Sequence, residues 1–425
     1  MINSSFTLSN KRIYLVLSVI LYKLILDFSY IKIISTRFLY ADFQLNYSLN
    51  NYVVSWVLLF YSLSYIRTKI NKVSDFFFIT SLLNVLVPLY VLYGLDYRYS
   101  IFPVIVTSLG LHLLYLFSYK FNMFYKLKTV RVIKGKQIAI GISSLGVIFL
   151  IFWYKYVNVK LNFNLFNVYE FRDENSELAT GGLLTYIISW TYQVFTILLL
   201  TIALKYKKYN YIFLLLLIQI FFFAASAHKS ILFYPLLVLF VKYYIDRFNY
   251  NHYFTLIYAL VLIFPIASFF IFDDVFLSSF VLRRVFILPA KLAFVFFDFF
   301  NDNQHIYWSN SILSSFIEYP YSEKHTYLIG EYYGFESMSA NNGFLSSGYA
   351  QAGVFGVFIY VFLLGIVLNL IDTLVKNSLP LWIGLSLMII PFRSIQLSSD
   401  LLTVFLTHGF IVVILMVFLV RKNIN

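Results

Sequence analysis

The chain contains no cysteine among its 425 residues, which excludes disulfide bonds, thiolate metal sites and cysteine nucleophiles. Glycine and proline are scarce, at 16 and 8 residues, and only 12% of the residues carry a charge. The sequence also has no glycine-rich nucleotide-binding loop, no HExxH-type spacing of metal ligands and no convincing Ser/His/Asp set. We therefore expect no nucleotide, metal or other cofactor.

Hydrophobic residues, in contrast, make up 61% of the chain, and the mean hydropathy of +0.80 excludes a soluble core with a polar surface. A helix needs about 20 apolar residues to cross about 30 Å of hydrocarbon. The sequence thus predicts an all-α polytopic membrane protein, a single integral membrane domain over 1–425 with about twelve transmembrane helices. The predicted spans lie near 12–34, 50–66, 74–93, 101–118, 137–157, 181–204, 209–226, 230–245, 252–271, 348–371, 379–397 and 402–420.

The distribution of Lys and Arg predicts the topology. Alternate loops carry clusters of these residues, at 67–72, 120–136, 205–208, 242–247 and 421–422. The positive-inside rule places these loops, and both termini, in the cytoplasm. This bias and attraction to anionic lipid largely explain the net charge of +13, so no nucleic-acid partner is implied. The first span has no cleavage site behind it, and we expect it to remain as an anchor.

Two of the predicted outward loops are long, 158–180 and 272–347, and the second has roughly 75 residues. In a membrane protein such loops can bind the water-soluble part of a ligand, whereas the spans mainly form the scaffold. The stretch 281–298 is apolar but interrupted by charge. It predicts a re-entrant or interfacial helix pair, with Pro289 at a kink or in the first turn of the second helix. Arg284, Lys291 and Asp298 are spaced by seven, which predicts that they share one helical face. This face either turns toward a cavity or carries side chains that snorkel to the lipid headgroups.

Several cations are predicted on the outer side, where Lys and Arg should be scarce. Three of them have a local alternative. Arg172 has acidic neighbours in its own loop, Lys229 has an end-cap role as its alternative, and Arg393 has an ion pair with Asp400. Jointly they indicate a lipid-linked diphosphate, because guanidinium groups bind phosphate oxygens bidentately and stay charged in a partly dry site. The candidates are Arg172, Lys229, Arg283, Arg284 and Arg393.

The end of the large loop carries a second set of candidates. Asn341 and Asn342 are predicted to bind glycan hydroxyls at the membrane edge, and Glu336 is the leading candidate for a general base. Aromatic residues of the loop either stack on sugar rings or form the interfacial belt. The next span begins with small residues at intervals of four, which predicts close packing on a neighbouring helix, at Gly348, Ala352 and Gly356.

These segments resemble the O-antigen (Wzy-type) oligosaccharide repeat-unit polymerases, which share an architecture with the O-antigen ligases. The likeness covers about 170–410 and rests on four motifs, at 171–174, 227–230, 282–289 and 340–343. The resemblance implies a GT-C-like fold that polymerises undecaprenyl-diphosphate-linked repeat units at the outer face of the bacterial cytoplasmic (inner) membrane. It makes diphosphate binders of Arg172, Arg283, Arg284 and Arg393.

The reaction that the resemblance implies moves a growing glycan from its lipid diphosphate to a hydroxyl of a new lipid-linked repeat. It needs no nucleotide sugar; its implied partners are the lipid-linked glycan, membrane lipid and a chain-length regulator protein. The related ligases carry a functional His where this chain has Glu336, Asn341 and Asn342. A ligase of the same architecture, a lipid-linked oligosaccharide flippase and a non-catalytic scaffold are the alternatives; flippases usually show two similar halves, and no such repeat is visible.

Overall fold

The structure is a computed structural model that describes residues 2–120, 124, 127, 130–164 and 182–422, with side chains from residue 10 onward. Within these residues every element is helical, apart from two isolated β-bridges. The helices are α1 (Ile2–Ser29, continued to Arg37), α2 (Leu49–Tyr65), α3 (Val73–Leu95), α4 (Ile101–Lys120), α5 (Gly135–Tyr156), α6 (Leu183–Lys205), α7 (Tyr209–Ser226), α8 (Lys229–Arg247), α9 (Asn251–Phe272), α10 (Leu288–Asp302), α11 (His325–Tyr332), α12 (Phe344–Val375), α13 (Leu381–Leu397), α14 (Leu401–Leu406) and α15 (Phe410–Val420).

Eight of these helices are long and apolar enough to cross a membrane: α1, α3, α4, α5, α6, α7, α9 and α12. The protein is therefore an α-helical polytopic membrane protein, as predicted. The other predicted spans coincide with helices that are shorter or carry more charge, namely α2, α8, α13 and the pair α14 and α15. The count of twelve spans stays a prediction.

The chain divides into two compact units that alternate along the sequence. The first unit comprises Met1–Asn122, Asn249–Asn369 and Ile395–Leu401. The second comprises Met123–Phe248, Leu370–Ser394 and Leu402–Asn425.

In the first unit, α1 packs parallel to α9. At one end of the pair, Arg37 forms an ion pair with Asp273 at 2.8 Å; at the other, the Lys11 ammonium lies 3.4 Å from the centre of the Tyr250 ring. The described span of α1, Asn10–Arg37, has 28 residues, which at 1.5 Å per residue separates the two ends by about 40 Å. The predicted topology likewise places these two ends on opposite sides of the membrane.

A buried ion pair lies in the middle of α1. Lys23 and Asp27 are 2.8 Å apart and almost fully buried, and the hydroxyl of Tyr52 on α2 donates a hydrogen bond to Asp27 at 3.1 Å. The two residues are four apart in sequence, on one face of the helix, so their charges neutralise each other. An unpaired charge at this depth would be strongly disfavoured.

The large loop begins with a helical run of changing pitch. A π-helical segment, Ser278–Ile287, leads directly into α10, and Pro289 lies in the first turn of α10, one of the two positions that the sequence predicted. Lys291 is buried whereas Arg284 and Asp298 are exposed, so the three do not form one uniform stripe. The wide turns of the π segment change the number of residues per turn after Arg284, so a seven-residue spacing does not repeat one face there.

Helix α12 is broken near its start. Ala352 and Gly353 have non-helical backbone angles, and Gly353 has a φ of 60°, a region that favours glycine. The two parts of α12 meet at Gly348 and Gly356, because a Cβ on Gly356 would lie 2.0 Å from the carbonyl oxygen of Gly348. The small residues thus allow close approach within one element, where the sequence predicted a contact with a neighbouring helix.

The second unit has its own apolar core. It joins α5, α6, α7 and the first turn of α8 through a cluster of buried side chains: Val147, Leu150, Tyr154, Tyr192, Phe222, Ala225 and Ile231. The indole of Trp190 on α6 donates a hydrogen bond to the carbonyl of Leu406, at 2.7 Å. This bond fixes the end of α14 against α6.

Candidate functional site

The predicted site residues divide between the two units. Arg283, Arg284, Glu336, Asn341 and Asn342 belong to the first unit, whereas Lys229 and Arg393 belong to the second. Arg172 lies outside the described residues, and so do the acidic residues beside it in the loop 158–180.

Arg283 lies on the π segment and is half-buried. Its guanidinium donates two hydrogen bonds to the hydroxyl oxygen of Ser279, at 3.2 and 2.9 Å. It lies 5.0 Å from the ring centre of Phe38 and 5.7 Å from that of Tyr40. Among the described residues, no carboxylate lies within ion-pair distance of this guanidinium. Its charge is therefore held in place by rings and a hydroxyl without being neutralised.

Arg284 follows directly on the same segment and is exposed. Within the described part of the chain, its side chain forms no hydrogen bond or ion pair. The two neighbouring guanidinium groups thus present positive charge at the end of the first unit where Arg37 and Asp273 lie. Such a pair suits a ligand with several anionic oxygens.

A group of charges that the sequence did not predict lies beside Arg283; we call it the Asp42 cluster. The carboxylate of Asp42 accepts hydrogen bonds from Lys291, at 2.6 Å, and from Arg98, at 2.8 Å. Arg98 also binds the buried carboxylate of Asp96, at 2.6 to 3.0 Å. Lys291 is only 4% exposed. Two cations and two carboxylates make this cluster, Asp42, Asp96, Arg98 and Lys291, neutral overall.

Asp42 and Arg98 stay ionised near neutral pH. Burial raises the pKa of Asp42, but the hydrogen bonds from Lys291 and Arg98 outweigh it and hold the pKa below its usual range. The hydrogen bond to Asp96 raises the pKa of Arg98. Neither residue is therefore suited to exchanging protons at pH 7, and the cluster acts as a fixed support for the groups around it.

Tyr333 joins the end of the large loop to this cluster. Its hydroxyl donates a hydrogen bond to the carbonyl of Ala41 at 2.6 Å, and its ring centre lies 5.5 Å from the Lys291 ammonium. Burial raises the pKa of Tyr333, and the nearby charge of Arg283 opposes that rise. Two parts of the loop that are about fifty residues apart in sequence thus meet here.

Glu336 lies three residues after Tyr333 and is exposed. Its position is set by a turn, in which Gly334 has a φ of 94° and the amide of Phe335 donates to the carbonyl of Gly330 at 2.9 Å. The carboxylate forms no hydrogen bond with another described residue. It is therefore accessible for a proton from a bound hydroxyl group.

The two asparagines have different environments. Asn341 is exposed and its amide donates to the hydroxyl of Ser339 at 3.1 Å. Asn342 is buried; its amide donates to the carbonyl of Pro289 at 3.2 Å, and its side-chain oxygen accepts from the amide of Gly343 at 2.7 Å. A cavity beside Asn342 has a volume of about 20 Å³, the size of one water molecule. In this conformation Asn342 holds the start of α12 against α10, and Asn341 is the accessible member of the pair.

In the second unit, Lys229 is the first residue of α8 and is half-buried. The hydroxyl of Tyr234, one turn later, donates to the hydroxyl of Ser230 at 3.3 Å. Arg393 on α13 is exposed and lies close enough to Tyr234 and His408 for its charge to act on both. The first turn of α8 and the Pro391-containing part of α13 thus bring these two cations into one region.

Sequence reasoning missed most of the Asp42 cluster because Asp42, Asp96 and Arg98 come from short connections that look ordinary. The available signal was Arg98, a cation in the outward connection between α3 and α4, near Asp96. No group of three or more potential metal ligands from His, Asp or Glu occurs in the described ranges. Comparison of the chain with protein-family models, with curated proteins and with solved structures finds no match.

Proposed function

We propose that this protein polymerises undecaprenyl-diphosphate-linked oligosaccharide repeat units at the outer face of a bacterial cytoplasmic membrane, through a GT-C-like arrangement of about twelve spans. One observation carries the proposal: Arg283 and Arg284 present charge that no described carboxylate neutralises, beside the loop segment that carries Glu336. A cationic pair next to an accessible carboxylate suits transfer from a diphosphate donor to a hydroxyl acceptor.

In the proposed reaction, the acceptor hydroxyl oxygen forms a bond with the anomeric carbon of the donor glycan. The bond from that carbon to the diphosphate oxygen breaks, and the diphosphate leaves with the electron pair. Glu336 takes the proton of the attacking hydroxyl group. Because this is a single displacement, the configuration at the anomeric carbon is inverted.

The cations act on the leaving group. As the bond to the diphosphate breaks, negative charge grows on the phosphate oxygens, and fixed guanidinium groups stabilise it more than they stabilise the bound substrate. Arg283 and Arg284 supply this charge from the first unit. The diphosphate roles of Arg172, Lys229 and Arg393 and the glycan roles of Asn341 and Asn342 stay predictions from the sequence.

The Asp42 cluster has a positioning role in this proposal. Lys291 and Arg98 hold the connection that carries Phe38 and Tyr40, the rings over which Arg283 lies. A guanidinium held between rings and a hydroxyl has little rotational freedom left to lose when it binds phosphate.

The test is elongation of a lipid-linked repeat by the purified protein in liposomes without nucleotide. A charge-assisted hydrogen bond contributes about 1.5–3 kcal/mol, so we expect Arg283→Ala and Arg284→Ala to be about ten- to a hundredfold slower. Lys at these positions should not restore the rate, because it lacks the bidentate fork. Arg37→Ala is the matched control, since Arg37 lies at the same end of the unit but is paired with Asp273.

Three results would contradict the proposal. If Arg284→Ala and Arg393→Ala elongate glycans normally, the diphosphate site lies elsewhere. If the protein only moves the lipid-linked repeat across the bilayer, it is a flippase. If it joins glycan only to a lipid acceptor that is not a repeat unit, it is a ligase.

The role of Glu336 is tested by its pH dependence. General-base help is worth about 10²–10⁴-fold, so we expect Glu336→Gln to be slower by up to that factor and to change the pH profile of the rate. Glu323→Gln, an exposed residue of the same loop, is the control. An unchanged rate and profile would remove Glu336 from the mechanism and leave Glu170, Asp173, Glu174 and Glu331 as candidates; a product with retained configuration would exclude single displacement.

A further inference from the structure

A second cationic site lies at the opposite end of the first unit from Arg283. It is an open pocket of about 670 Å³, which we call the basic pocket, formed by the N-terminal half of α1, the connection after α2 and the residue before α9. Four of its eight lining residues are cations, and none is acidic. The lining residues are Lys11, Arg12, Ile66, Arg67, Thr68, Lys69, Asn71 and Tyr250.

The backbone of the basic pocket is held by a set of hydrogen bonds. The connection between α2 and α3 is fixed to the start of α9, because the amide of Ile70 donates to the carbonyl of Asn249 at 2.8 Å and the amide of Asn251 donates to that of Thr68 at 2.9 Å. The Asn251 side chain also donates to the carbonyl of Arg67, at 2.6 Å. The cations are thus mounted on a fixed connection before any ligand arrives, which favours binding.

Arg12 has a supporting role in the pocket. Its guanidinium donates hydrogen bonds to the carbonyls of Leu63 and Ile66, so it closes the C-terminal end of α2. Cations at this position stabilise a helix terminus, where carbonyl groups lack partners. We therefore assign ligand contact to the other three cations.

The positive charge of the pocket exceeds the negative charge next to it. Asp75 is the neighbouring acid; it is buried, accepts from the amides of Asn71 and Lys72 at 2.8 and 2.9 Å, and lies 3.6 Å from Arg67. It offsets one of the four charges. The ammonium groups of Lys11 and Lys69 lie 3.4 and 5.6 Å from the centre of the same ring, that of Tyr250. Two ammonium groups around one ring repel each other, and an anion between them would relieve that repulsion.

An apolar groove continues from the basic pocket along α1 and α9. It has a volume of about 380 Å³, and its walls are Tyr14, Leu17, Ser18, Leu21, His252, Tyr253 and Leu256. Neighbouring tilted rings connect the two sites: the ring centre of Tyr250 lies 5.7 Å from that of His252, which lies 5.8 Å from that of Tyr14. From Lys11 to Leu21 the groove follows α1 for about 15 Å at 1.5 Å per residue, which is the length of a substantial part of an acyl chain.

We propose that the basic pocket binds the phosphate headgroup of an anionic membrane lipid and that the adjoining groove holds one of its acyl chains. The shared chemistry of the cations would suit any phosphate ester, but the apolar groove directly beneath favours a lipid over a soluble phosphate. Lys11, Arg67 and Lys69 contact the phosphate oxygens, and Thr68 and Asn71 supply neutral donors. This site is independent of the proposed polymerase site and lies at the other end of the unit.

Binding is measured with the full-length purified protein in neutral detergent, using a fluorescent phosphatidylglycerol as the probe. We expect unlabelled phosphatidylglycerol to displace the probe, and phosphatidylcholine, glycerol 3-phosphate and inorganic phosphate to be at least tenfold weaker. Affinity should fall with added salt, because charge attraction is screened. If inorganic phosphate competes as well as phosphatidylglycerol, the ligand is a soluble anion; if phosphatidylcholine does, the cations have no role. Either result overturns the proposal.

Two variants separate the headgroup contact from the groove. The double change Lys11→Gln and Lys69→Gln should weaken phosphatidylglycerol binding by tenfold or more, because it removes two charged contacts to the phosphate. Neither change removes a backbone bond of the pocket. Leu17→Ser with Leu21→Ser should weaken binding of the lipid in the same way. Lys205→Gln, an exposed cation on the same predicted side but outside the pocket, should change nothing. Unchanged affinity in the lysine double variant, with a normal unfolding temperature, would contradict the assignment.

Discussion

At the scale of single residues, Lys291 shows how this membrane protein keeps a buried charge. Its ammonium is bonded to Asp42 at 2.6 Å and lies 4.9 Å from the ring centre of Tyr99. A buried cation without such partners is strongly destabilising. The bond therefore ties α10, which carries no other described ion pair, to the connection between α1 and α2.

The first prediction concerns Asp42. Its folded pKa lies below the unfolded value of about 3.9, because bonds from Lys291 and Arg98 outweigh the opposing effect of burial. Its contribution to stability is therefore complete above the unfolded pKa and is lost as the pH falls through the folded pKa. We expect Asp42→Asn to lower the unfolding temperature at pH 7 and to reduce its decline between about pH 5 and pH 2.

Thermal unfolding of the purified protein in detergent, followed across pH, measures this effect. Asp302→Asn is the control, because Asp302 is exposed at the end of α10 and bonded only to its neighbour Asn301 among the described residues. A variant at position 42 that unfolds like the unaltered protein at every pH would show that Lys291 does not depend on this carboxylate.

At the scale of elements, departures from regular α-helix occur where the chain must fit close neighbours. The π segment Ser278–Ile287 widens the turns that carry Arg283 and Arg284, a change that hydropathy cannot reveal. The break at Ala352 and Gly353 lets α12 bend so that Gly348 touches Gly356. The sequence showed the small residues correctly, but spacing alone does not distinguish contact within a bent element from contact between two helices.

The second prediction tests this bend. A Cβ at position 356 would lie 2.0 Å from a backbone oxygen, and a backbone atom cannot move aside as a side chain can. We expect Gly356→Ala to destabilise the protein by about 1–3 kcal/mol, the usual cost of overpacking. At Gly141, in contrast, a Cβ would meet no atom within 4 Å.

Gly141→Ala is therefore the matched control, and it should leave stability unchanged or raise it by about 0.5–1 kcal/mol, because alanine is the better helix former. The measurement is denaturation in mixed micelles. Equal stability of the two variants would mean that the bend in α12 opens easily.

At the scale of the whole molecule, hydropathy predicted the helices well because the thickness of the hydrocarbon layer sets their length. Eleven of the twelve predicted spans coincide with one helix each, and the last, 402–420, coincides with the pair α14 and α15. The Asp42 cluster could not be predicted, since it joins Asp42 and Arg98, from two separate connections, to Lys291 on α10, and these residues meet only when the first unit folds. The same holds for the basic pocket, whose Lys11, Lys69 and Tyr250 are far apart in sequence. Pairing between distant loops leaves no periodic signal in one sequence.

The last prediction concerns the orientation of the chain, which the charge distribution predicts. Because the protein has no cysteine, single introduced cysteines can be labelled without background. We expect Ser322→Cys to react with a membrane-impermeant thiol reagent in intact spheroplasts, and Asn71→Cys and Lys205→Cys to react only after the membrane is opened. All three positions are exposed, so a lack of labelling reports the side of the membrane and not burial. Labelling of Asn71→Cys in intact spheroplasts would place the basic pocket on the outer surface and move Arg283 to the cytoplasmic side, where a polymerase acting on exported repeats has no substrate.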